Sequence, residues 1–289
     1  MNKLVSICIP TFNGEQFIAT AMESAISQTY SNIEIVVSDD YSTDTTVNII
    51  EKYQKKTTIP IKIVKHSPTG IGANWNNCVK HTTGDYIKFL FQDDVLESNC
   101  IAEMMAVANA NPKVGLIYCK RNFLYEKLTI EIENFINYYG SLHTHWTSFT
   151  VKEGLESGKK YLKDIALIHS PKNKIGEPTA VLLKKECFTT IGWFHEQLEQ
   201  TLDHEYWYRV LKKYDVCFID KALIYFRLHN NQASNINKSR NIPDNELLYK
   251  LYYKNIFWQL HLKNQIKLVK RYHILFKLLA DFKHFFNAK

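Results

Sequence analysis

Hydrophobic and polar positions follow two alternating rhythms over the first 120 residues. Short, continuous apolar runs are typical of strands that are buried on both faces. Segments between these runs carry apolar residues at helical spacing, for example at Ala21, Met22 and Ala25. The predicted strands are 4–10, 33–37, 59–64, 86–91 and 114–119. This alternation predicts an α/β fold with a mostly parallel sheet covered by helices on both faces.

The pattern loosens after residue 120. We interpret 121–175 as loop with one helix near 159–168. Regular elements are predicted again as a strand at 180–184, a helix at 203–213 and one or two strands at 216–228. An Asn- and Ser-rich linker at 230–245 precedes a helical tail. The predicted organisation is a domain at 1–230, with halves 1–120 and 121–230, followed by a linker and tail at 231–289.

Composition narrows the class of protein. With 45% hydrophobic and 22% charged residues, the chain is not expected to be disordered. No apolar run approaches the ~18 residues of a membrane-spanning helix, and Pro10 interrupts the apolar N-terminal stretch where a signal peptide would continue. The six cysteines form no CxxC pair. We therefore predict a cytoplasmic protein with buried, reduced thiols.

Charge is concentrated at the C-terminus. Residues 241–289 contain nine basic residues and three acidic ones, which suggests a membrane surface or a polyanion as partner. An apolar stripe shares this segment with lysines on another face; its members are Leu268, Tyr272, Leu275, Leu279, Phe282 and Phe286. Such a helix can lie in the plane of an anionic bilayer. Packing of the stripe on the protein's own sheet or on a second subunit is the alternative.

Acidic residues follow two predicted strands. Asp40 ends the second strand, and Asp93 and Asp94 end the fourth. Ligands bind at the carboxyl ends of parallel strands, and Mg²⁺ is usually held by one or two carboxylates together with substrate phosphates. Capping of the following helices is the alternative interpretation. Neither a GxGxxG nor a GxxxxGK[ST] motif occurs, so dinucleotide-binding and P-loop folds lose their main support.

Several motifs in order carry a resemblance to a known family. The quoted segments are VSICIPTFNG, SQTY, IEIVVSDDYSTDTT, GIGANWNNCVKHTTGDYIKFLFQDD and DHEYWYRV. Over about residues 4–230 the chain resembles the inverting family 2 glycosyltransferases of GT-A fold, of the kind that builds bacterial surface polysaccharides. The resemblance makes 1–120 the nucleotide-binding half and 121–230 the acceptor-side half. It implies a nucleoside-diphosphate sugar as donor, a saccharide or lipid-linked saccharide as acceptor, and a divalent metal, Mg²⁺ or Mn²⁺.

The resemblance also implies roles for donor-binding residues. Pro10, Thr11 and Phe12 would line the nucleotide base, and Asp40 would accept a hydrogen bond from the N–H of the base. Asn74 would approach the base and diphosphate. Asp93 would contact the ribose or the donor sugar.

Further residues receive metal, catalytic and acceptor roles. Asp94 would coordinate the metal, with His229 as a metal or phosphate contact. Asp203 would be the catalytic base, and Glu177 and Trp193 would lie on the acceptor side. The structural alternatives are a helix cap for Asp203, an ordinary partly buried histidine for His229 and a solvated turn residue for Glu177.

Two positions depart from the family pattern. Phe91 stands where another carboxylate often precedes Asp93, and Leu202 stands where a carboxylate often precedes the base. The expected metal site therefore depends more heavily on Asp94 and its neighbours.

The sequence favours transfer of a sugar to an acceptor hydroxyl with inversion. Nucleotidyl transfer on a similar sheet is an alternative, but the loop Thr11–Gly14 lacks a basic residue for phosphate. A nucleic-acid-binding protein that uses the basic tail is the other alternative, and we do not expect nucleic acid as a partner. The tail prediction adds a peripheral position on the cytoplasmic face of a membrane. The sequence does not specify the oligomeric state.

Overall fold

Apolar strands and amphipathic helices alternate along the chain in the computed structural model, which describes residues 2–230, 232, 240 and 242–273. The strands are β1 (Val5–Thr11), β2 (Ile33–Asp39), β3 (Ile61–Lys65), β4 (Tyr86–Phe89), β5 (Val95–Leu96), β6 (Val114–Leu124), β7 (Gly154–Glu156), β8 (Val181–Lys184) and β9 (Asp215–Arg227). The helices are α1 (Ile18–Ile26), α2 (Thr46–Lys56), α3 (Ile71–Lys80), α4 (Cys100–Ala110), α5 (Ile130–Tyr139), α6 (Gly158–Leu162), α7 (Glu186–Thr190), α8 (Leu202–Leu211), α9 (Asp244–Asn255) and α10 (Leu262–Tyr272).

One mixed sheet organises the molecule. Its strand order is β3-β2-β1-β4-β8-β6-β9-β5, and β7 also pairs with β9. Strands β3, β2, β1 and β4 are parallel neighbours, whereas β8 runs antiparallel to both β4 and β6. The α/β class with flanking helices is confirmed. The expectation of a mostly parallel sheet is confirmed in the described part of the chain, because β6 and β9 pair in parallel and run in the same direction as β1 to β4. The exceptions are β8, which enters between β4 and β6 in the opposite direction, and β5 and β7, which pair antiparallel with β9.

Alternation along the strands divides the core between the two faces of the sheet. Ile7 and Ile9 pack on one face, while Cys8 packs on the other. The face with Cys8 carries an aromatic cluster that joins Trp75 of α3, Phe194, and Tyr206 of α8. Leu248, Tyr252 and Leu268 of the C-terminal helices belong to the same core. The domain boundaries at 120 and 230 stay predictions.

The interpretation of 121–175 as loop with one helix was wrong in part. Strand β6 continues to Leu124, α5 follows after a short turn, and β7 lies before α6. Helix α5 has no fully buried residue, so its apolar positions gave no clear helical signal. Its start is capped by Thr129, whose hydroxyl accepts from Ile132 N at 3.4 Å. The predicted helix near 159–168 is present only as Gly158–Leu162.

The C-terminal helices pack against the body of the protein. Leu268 is 2% exposed, and the Tyr272 hydroxyl donates to Glu246 O at 2.9 Å. These two members of the predicted stripe therefore face the protein, as the alternative interpretation expected. Leu275, Leu279, Phe282 and Phe286 lie outside the described residues, as does most of the predicted linker. None of the helices in the described part of the chain is long and apolar enough to cross a membrane.

The cysteine prediction is confirmed. All six thiols are buried and free of disulfides.

Candidate active site

The carboxyl ends of β2, β1 and β4 form the edge on which the donor-side candidates lie. Thr11 pairs with Asp39 at the ends of β1 and β2, and Leu90 N donates to Cys8 O at 2.9 Å where β4 ends beside β1. The loops that follow these strands therefore start from neighbouring positions.

Asp40 lies in a partly buried polar cluster. His66 Nδ1 is 2.5 Å from Asp40 Oδ1, and the Asn74 side chain also bonds to this carboxylate. Burial raises the pKa of Asp40 above its usual value, against the opposing effect of His66. Asn74 is 4% exposed, and its Oδ1 has no hydrogen-bond partner among the described residues. The cluster thus presents a carboxylate and an unsatisfied acceptor, which suit the N–H and hydroxyl groups of a nucleoside.

Asp39 holds the loops on either side of this cluster. Its carboxylate accepts from the Thr11 hydroxyl at 3.0 Å and from Ser42 N at 2.9 Å. Pro10 and Thr11 are buried in β1, so their side chains support the loop. Tyr41 has a φ of 56°, an uncommon backbone conformation for a bulky residue, and is 54% exposed beside Asp40.

Gln92 fixes the position of Phe12. Phe12 N donates to Gln92 Oε1 at 2.9 Å, and Gln92 Nε2 donates to Phe12 O at 3.1 Å. The side-chain amide of Gln92 therefore uses both its oxygen and its nitrogen to bind the backbone of Phe12. The Phe12 ring is 52% exposed and can stack against a planar ligand at the strand edge.

Asp93 faces His229 across the end of β4. Asp93 Oδ2 is 3.0 Å from His229 Nε2, and each side chain is 20% exposed. Arg227 Nε donates to Asp93 O at 2.8 Å, and the Arg227 guanidinium and the His229 ring both contact the Phe17 ring. These contacts hold a carboxylate and an imidazole side by side at the surface.

Asp94 has a different environment. It is 1% exposed; its Oδ2 accepts from the Thr179 hydroxyl at 2.6 Å, and its Oδ1 accepts from Arg227 N at 3.1 Å. Burial, followed by the charge of Asp93, raises the pKa of Asp94 well above its usual range. Both oxygens are used to join the end of β4 to β9 and to the turn before β8.

Asp203 lies in the first turn of α8. Its Oδ2 accepts from Asn173 Nδ2 at 2.7 Å, and its Oδ1 accepts from His204 N at 2.7 Å. His204 Nδ1 is 3.0 Å from the same Oδ1, and the carboxylate is 14% exposed. His204 is 4% exposed, so its ring is buried beside the Asp203 carboxylate. A partly exposed carboxylate with fixed orientation fits the role of a general base.

A short segment contacts both Asp203 and Asp94. Asn173, which binds Asp203, also donates through Nδ2 to Gly176 O at 3.0 Å. Three residues later, Thr179 binds Asp94. Because seven residues span at most ~25 Å, this segment limits how far apart Asp203 and Asp94 can lie. Glu177, in the middle of this segment, forms a buried ion pair with Arg121.

Trp193 lies beside a separate cleft. It is 41% exposed, its carbonyl accepts from Arg209 Nη2 at 2.7 Å, and Lys80 Nζ is 5.6 Å from the ring centroid. The cleft has a volume of about 420 Å³ and also includes His195, Glu196, Gln197 and Lys254. Trp193 contacts Arg209 and Lys80, whereas Asp203 contacts Asn173 and His204. The structure therefore does not bring these two predicted site residues into direct contact.

Several residues that shape the site escaped the sequence reasoning. Asp39, His66, Gln92, Arg227, Asn173 and Thr179 all bind a predicted site residue or its loop. Gln92 and Asp39 adjoin the acidic motifs and could have been included on that ground. His66 and Asn173 stand alone in polar segments and carry no local signal.

Asp244 was also missed. Its carboxylate accepts from Glu199 N at 3.1 Å, Gln200 N at 2.7 Å and Thr201 N at 2.9 Å, immediately before α8. Asp244 is the first residue of α9 and 5% exposed. The C-terminal helices therefore fix the loop that leads to Asp203.

Known proteins with similar sequences include glycosyltransferases. The chain is 30% identical over 234 residues to an uncharacterized glycosyltransferase of Rickettsia typhi, covering 80% of this chain and 66% of that protein. It is also 32% identical over 124 residues to the GalNAc(5)-diNAcBac-PP-undecaprenol beta-1,3-glucosyltransferase of Campylobacter jejuni, covering 43% of this chain and 39% of that protein.

A solved structure shares the fold. The Staphylococcus aureus TarS 1–349 complex with UDP-GlcNAc superposes with a TM-score of 0.65 at 19% identity, covering 89% of this chain and 66% of that one. The family model for glycosyl transferase family 2 matches residues 6–152, which include β1 to β6 and the donor-side candidates. Together with the GT-A fold, this match shows that the chain belongs to glycosyl transferase family 2.

Proposed function

We propose that this protein transfers a sugar from a nucleoside-diphosphate sugar to an acceptor hydroxyl with inversion at the anomeric carbon. The observation that supports this most directly is the segment 173–179, which binds Asp203 through Asn173 and Asp94 through Thr179. One segment of seven residues thereby links the candidate base to a donor-side carboxylate. Nucleotidyl transfer and nucleic-acid binding gain no comparable support.

The donor's nucleoside is assigned to the edge formed by β1 and β2. Phe12 offers an exposed ring for stacking on the base, and Asp40 accepts a hydrogen bond from a base N–H. Asn74 Oδ1 accepts from a further donor group of the nucleoside or sugar. Because a carboxylate can accept from uracil, thymine or guanine, the assignment leaves the base open.

Asp93 and His229 fit a divalent metal. Carboxylate and imidazole are both metal ligands, and the two side chains are adjacent and partly exposed. No group of three or more His, Cys, Asp or Glu side chains converges within the described ranges, so the remaining ligands would come from diphosphate oxygens and water. A bound Mg²⁺ or Mn²⁺ would neutralise charge on the leaving diphosphate. We assign the metal contact to Asp93 rather than Asp94, because the Asp93 side chain is 20% exposed whereas Asp94 is 1% exposed and is held by Thr179 and Arg227.

Asp203 is assigned as the general base. Each carboxylate oxygen has two lone pairs, so Oδ2 can accept from Asn173 and still receive the proton of the acceptor hydroxyl. Asn173 and His204 keep the carboxylate from rotating. Inversion requires the acceptor to attack from the side opposite the diphosphate. Asp203 and Asp93 come from distant parts of the chain, which allows the base and the metal to lie on opposite sides of the sugar.

The acceptor is proposed to be a saccharide or a lipid-linked saccharide in surface polysaccharide or glycolipid assembly. The undecaprenol-linked substrate in the name of the C. jejuni relative supports this class. The basic C-terminal segment fits a peripheral position on the cytoplasmic face of a membrane. Glu177 and Trp193 stay candidates for the acceptor side, with Glu177 nearer the base through Asn173 and Gly176.

A thermal-shift panel of nucleoside diphosphates and nucleotide sugars, each with and without Mn²⁺, tests the proposal. A ligand at ~100 times its Kd stabilises the fold by about 2.7 kcal/mol. We expect one nucleotide class to raise the melting temperature, with a larger shift when Mn²⁺ is present. Transfer to a saccharide acceptor by the selected donor, followed by NMR of the product anomer, completes the test. Absence of any nucleotide-dependent shift, or retention of the anomeric configuration, would contradict the proposal.

A further inference from the structure

Helix α10 is attached to the protein through one face. Asn264 is 1% exposed and donates from Nδ2 to Asp164 O at 3.0 Å, and Leu268 is buried one turn later. The Tyr272 hydroxyl bonds to Glu246 O in α9. Turning the helix about its axis would break these bonds and expose Leu268. Its outer face is therefore fixed in orientation.

Large apolar side chains lie on that outer face. Leu262 is 65% exposed and Ile266, one turn later, is 46% exposed. Trp258, in the turn before α10, is 80% exposed. Gln265 Nε2 donates to Phe257 O at 3.0 Å, so the Trp258 turn is tied to the helix next to Ile266. We call Trp258, Leu262 and Ile266 the outer apolar patch. Single exposed apolar residues are common, but three in nine positions indicate an interaction surface.

Lysines border the outer apolar patch. At ~100° per residue, Lys263 and Lys270 lie about 40–60° around the helix from Ile266. Both are exposed, as is Lys267, whose Nζ lies 2.6 Å from His169 Nε2. Residues 254–273 contain four lysines and one arginine but no aspartate or glutamate. The segment that carries the patch therefore contributes basic side chains and no acidic ones.

We propose that the outer apolar patch and its lysines dock on an anionic lipid bilayer, with α10 lying parallel to the membrane plane. Trp favours the headgroup region, aliphatic side chains enter the acyl boundary, and lysines contact anionic headgroups. A second copy of this chain fits less well, because a symmetric contact would bring the two sets of lysines together. This inference rests on the proposed function, in which a lipid-linked acceptor brings the protein to a membrane. The helix face proposed here is not the face of Leu268 and Tyr272, which packs against the protein.

Vesicle co-sedimentation of the 289-residue chain tests the inference. Vesicles of phosphatidylcholine with phosphatidylglycerol are compared with phosphatidylcholine alone, at low and high salt. We expect binding that requires the anionic lipid and weakens with salt. The W258Q/L262Q/I266Q variant should bind at least tenfold more weakly. The K263Q/K270Q variant should bind about 25-fold more weakly, since each lysine near the surface contributes about fivefold.

Matched variants control for general effects of exposed apolar area and charge. Y125Q/L128Q/I130Q removes three other exposed apolar side chains, and K55Q/K56Q removes two exposed lysines from α2. Both controls should bind vesicles like the unmodified chain. Circular dichroism of every variant should show an unchanged helical content.

Three outcomes would overturn the inference. The first is no binding to anionic vesicles, and the second is equal binding by W258Q/L262Q/I266Q and the unmodified chain. The third is self-association of the unmodified chain in sedimentation velocity that only this variant abolishes, together with no vesicle binding. Transfer to a soluble saccharide is measured in parallel and should be unchanged in the variant. If transfer fails in both proteins while vesicle binding still depends on the patch, only the proposed function fails.

Discussion

The proposed donor edge and the proposed base of this family 2 protein are built in different ways. Asp40 and Asp93 follow strands of the parallel part of the sheet, and their positions depend on the pairing of β1, β2 and β4. Asp203 begins a helix and is held by Asn173 and, through the preceding loop, by Asp244. The donor edge is thus a local consequence of strand order, whereas the base depends on residues 30 and 41 positions away in the sequence.

This difference implies that the two regions can be perturbed separately. A change at the donor edge should reduce nucleotide binding. A change at the base or in its supports should reduce transfer and leave nucleotide binding nearly intact. Each prediction below tests that separation.

The largest effect is expected for Asp203→Asn. The amide cannot accept the acceptor's proton, so transfer should fall by ~10²-fold or more. Nucleotide affinity, measured by calorimetry, should stay within a few fold. Asp220→Asn, at an exposed carboxylate in an ion pair with Lys120, is the control and should be unchanged. Transfer by the Asp203 variant at a rate near that of the unmodified chain would place the base elsewhere.

The sequence predicted most of the donor edge because local patterns carry it. The apolar runs of β1, β2 and β4 end in polar residues, and parallel pairing brings those ends together. Asp94 shows where this reasoning stops, because two adjacent carboxylates look alike in a sequence. Which of them turns inward depends on Thr179 and Arg227, which belong to distant elements.

The surroundings of Asp203 were less predictable for the same reason. Only the resemblance to the family distinguished Asp203 from a helix cap. Asn173 lay in a segment interpreted as loop, and Asp244 lay at the end of a predicted linker. Their roles arise from tertiary contacts that hydrophobic periodicity does not encode.

Asp93→Asn is expected to have the next largest effect. Loss of a negative ligand beside His229 should remove the Mn²⁺-dependent part of the nucleotide thermal shift and reduce transfer by ~10²-fold. The free energy of unfolding without ligand should change little, because Asp93 is partly exposed. An unchanged Mn²⁺ effect would contradict the assignment of the metal to this residue.

Asp94→Ala is the companion change. It removes the acceptors of the Thr179 hydroxyl and Arg227 N, so the free energy of unfolding should fall by ~2–4 kcal/mol in urea titrations. A stable Asp94 variant that loses only its Mn²⁺ response would restore Asp94 as the metal ligand.

A smaller effect is expected for Asp244→Asn. In the unmodified chain, Asp244 Oδ2 accepts hydrogen bonds from both Gln200 N and Thr201 N. The amide of the variant keeps only one acceptor oxygen. Loosening of this loop should lower kcat by about tenfold through misplacement of Asp203, with the donor KM unchanged. Asp244→Glu should recover part of the rate. A rise in donor KM at constant kcat would show that Asp244 acts on the donor edge instead.

The smallest predicted effect is a pH dependence of donor affinity that comes from Asp40. Burial raises its pKa, so this carboxylate takes up a proton at a higher pH than an ordinary aspartate. Protonation weakens its capacity to accept from a base N–H, and donor affinity should therefore fall a few fold as the pH decreases through the raised pKa. Asp39, His66 and Asn74 face the same carboxylate. A nucleotide sugar is the suitable ligand, because its diphosphate has no secondary ionisation near neutral pH. Asp40→Asn keeps an acceptor oxygen but does not titrate, so its affinity should be lower and nearly constant between pH 5 and 8. An equally steep profile in this variant would assign the titration to a group outside the Asp40 carboxylate.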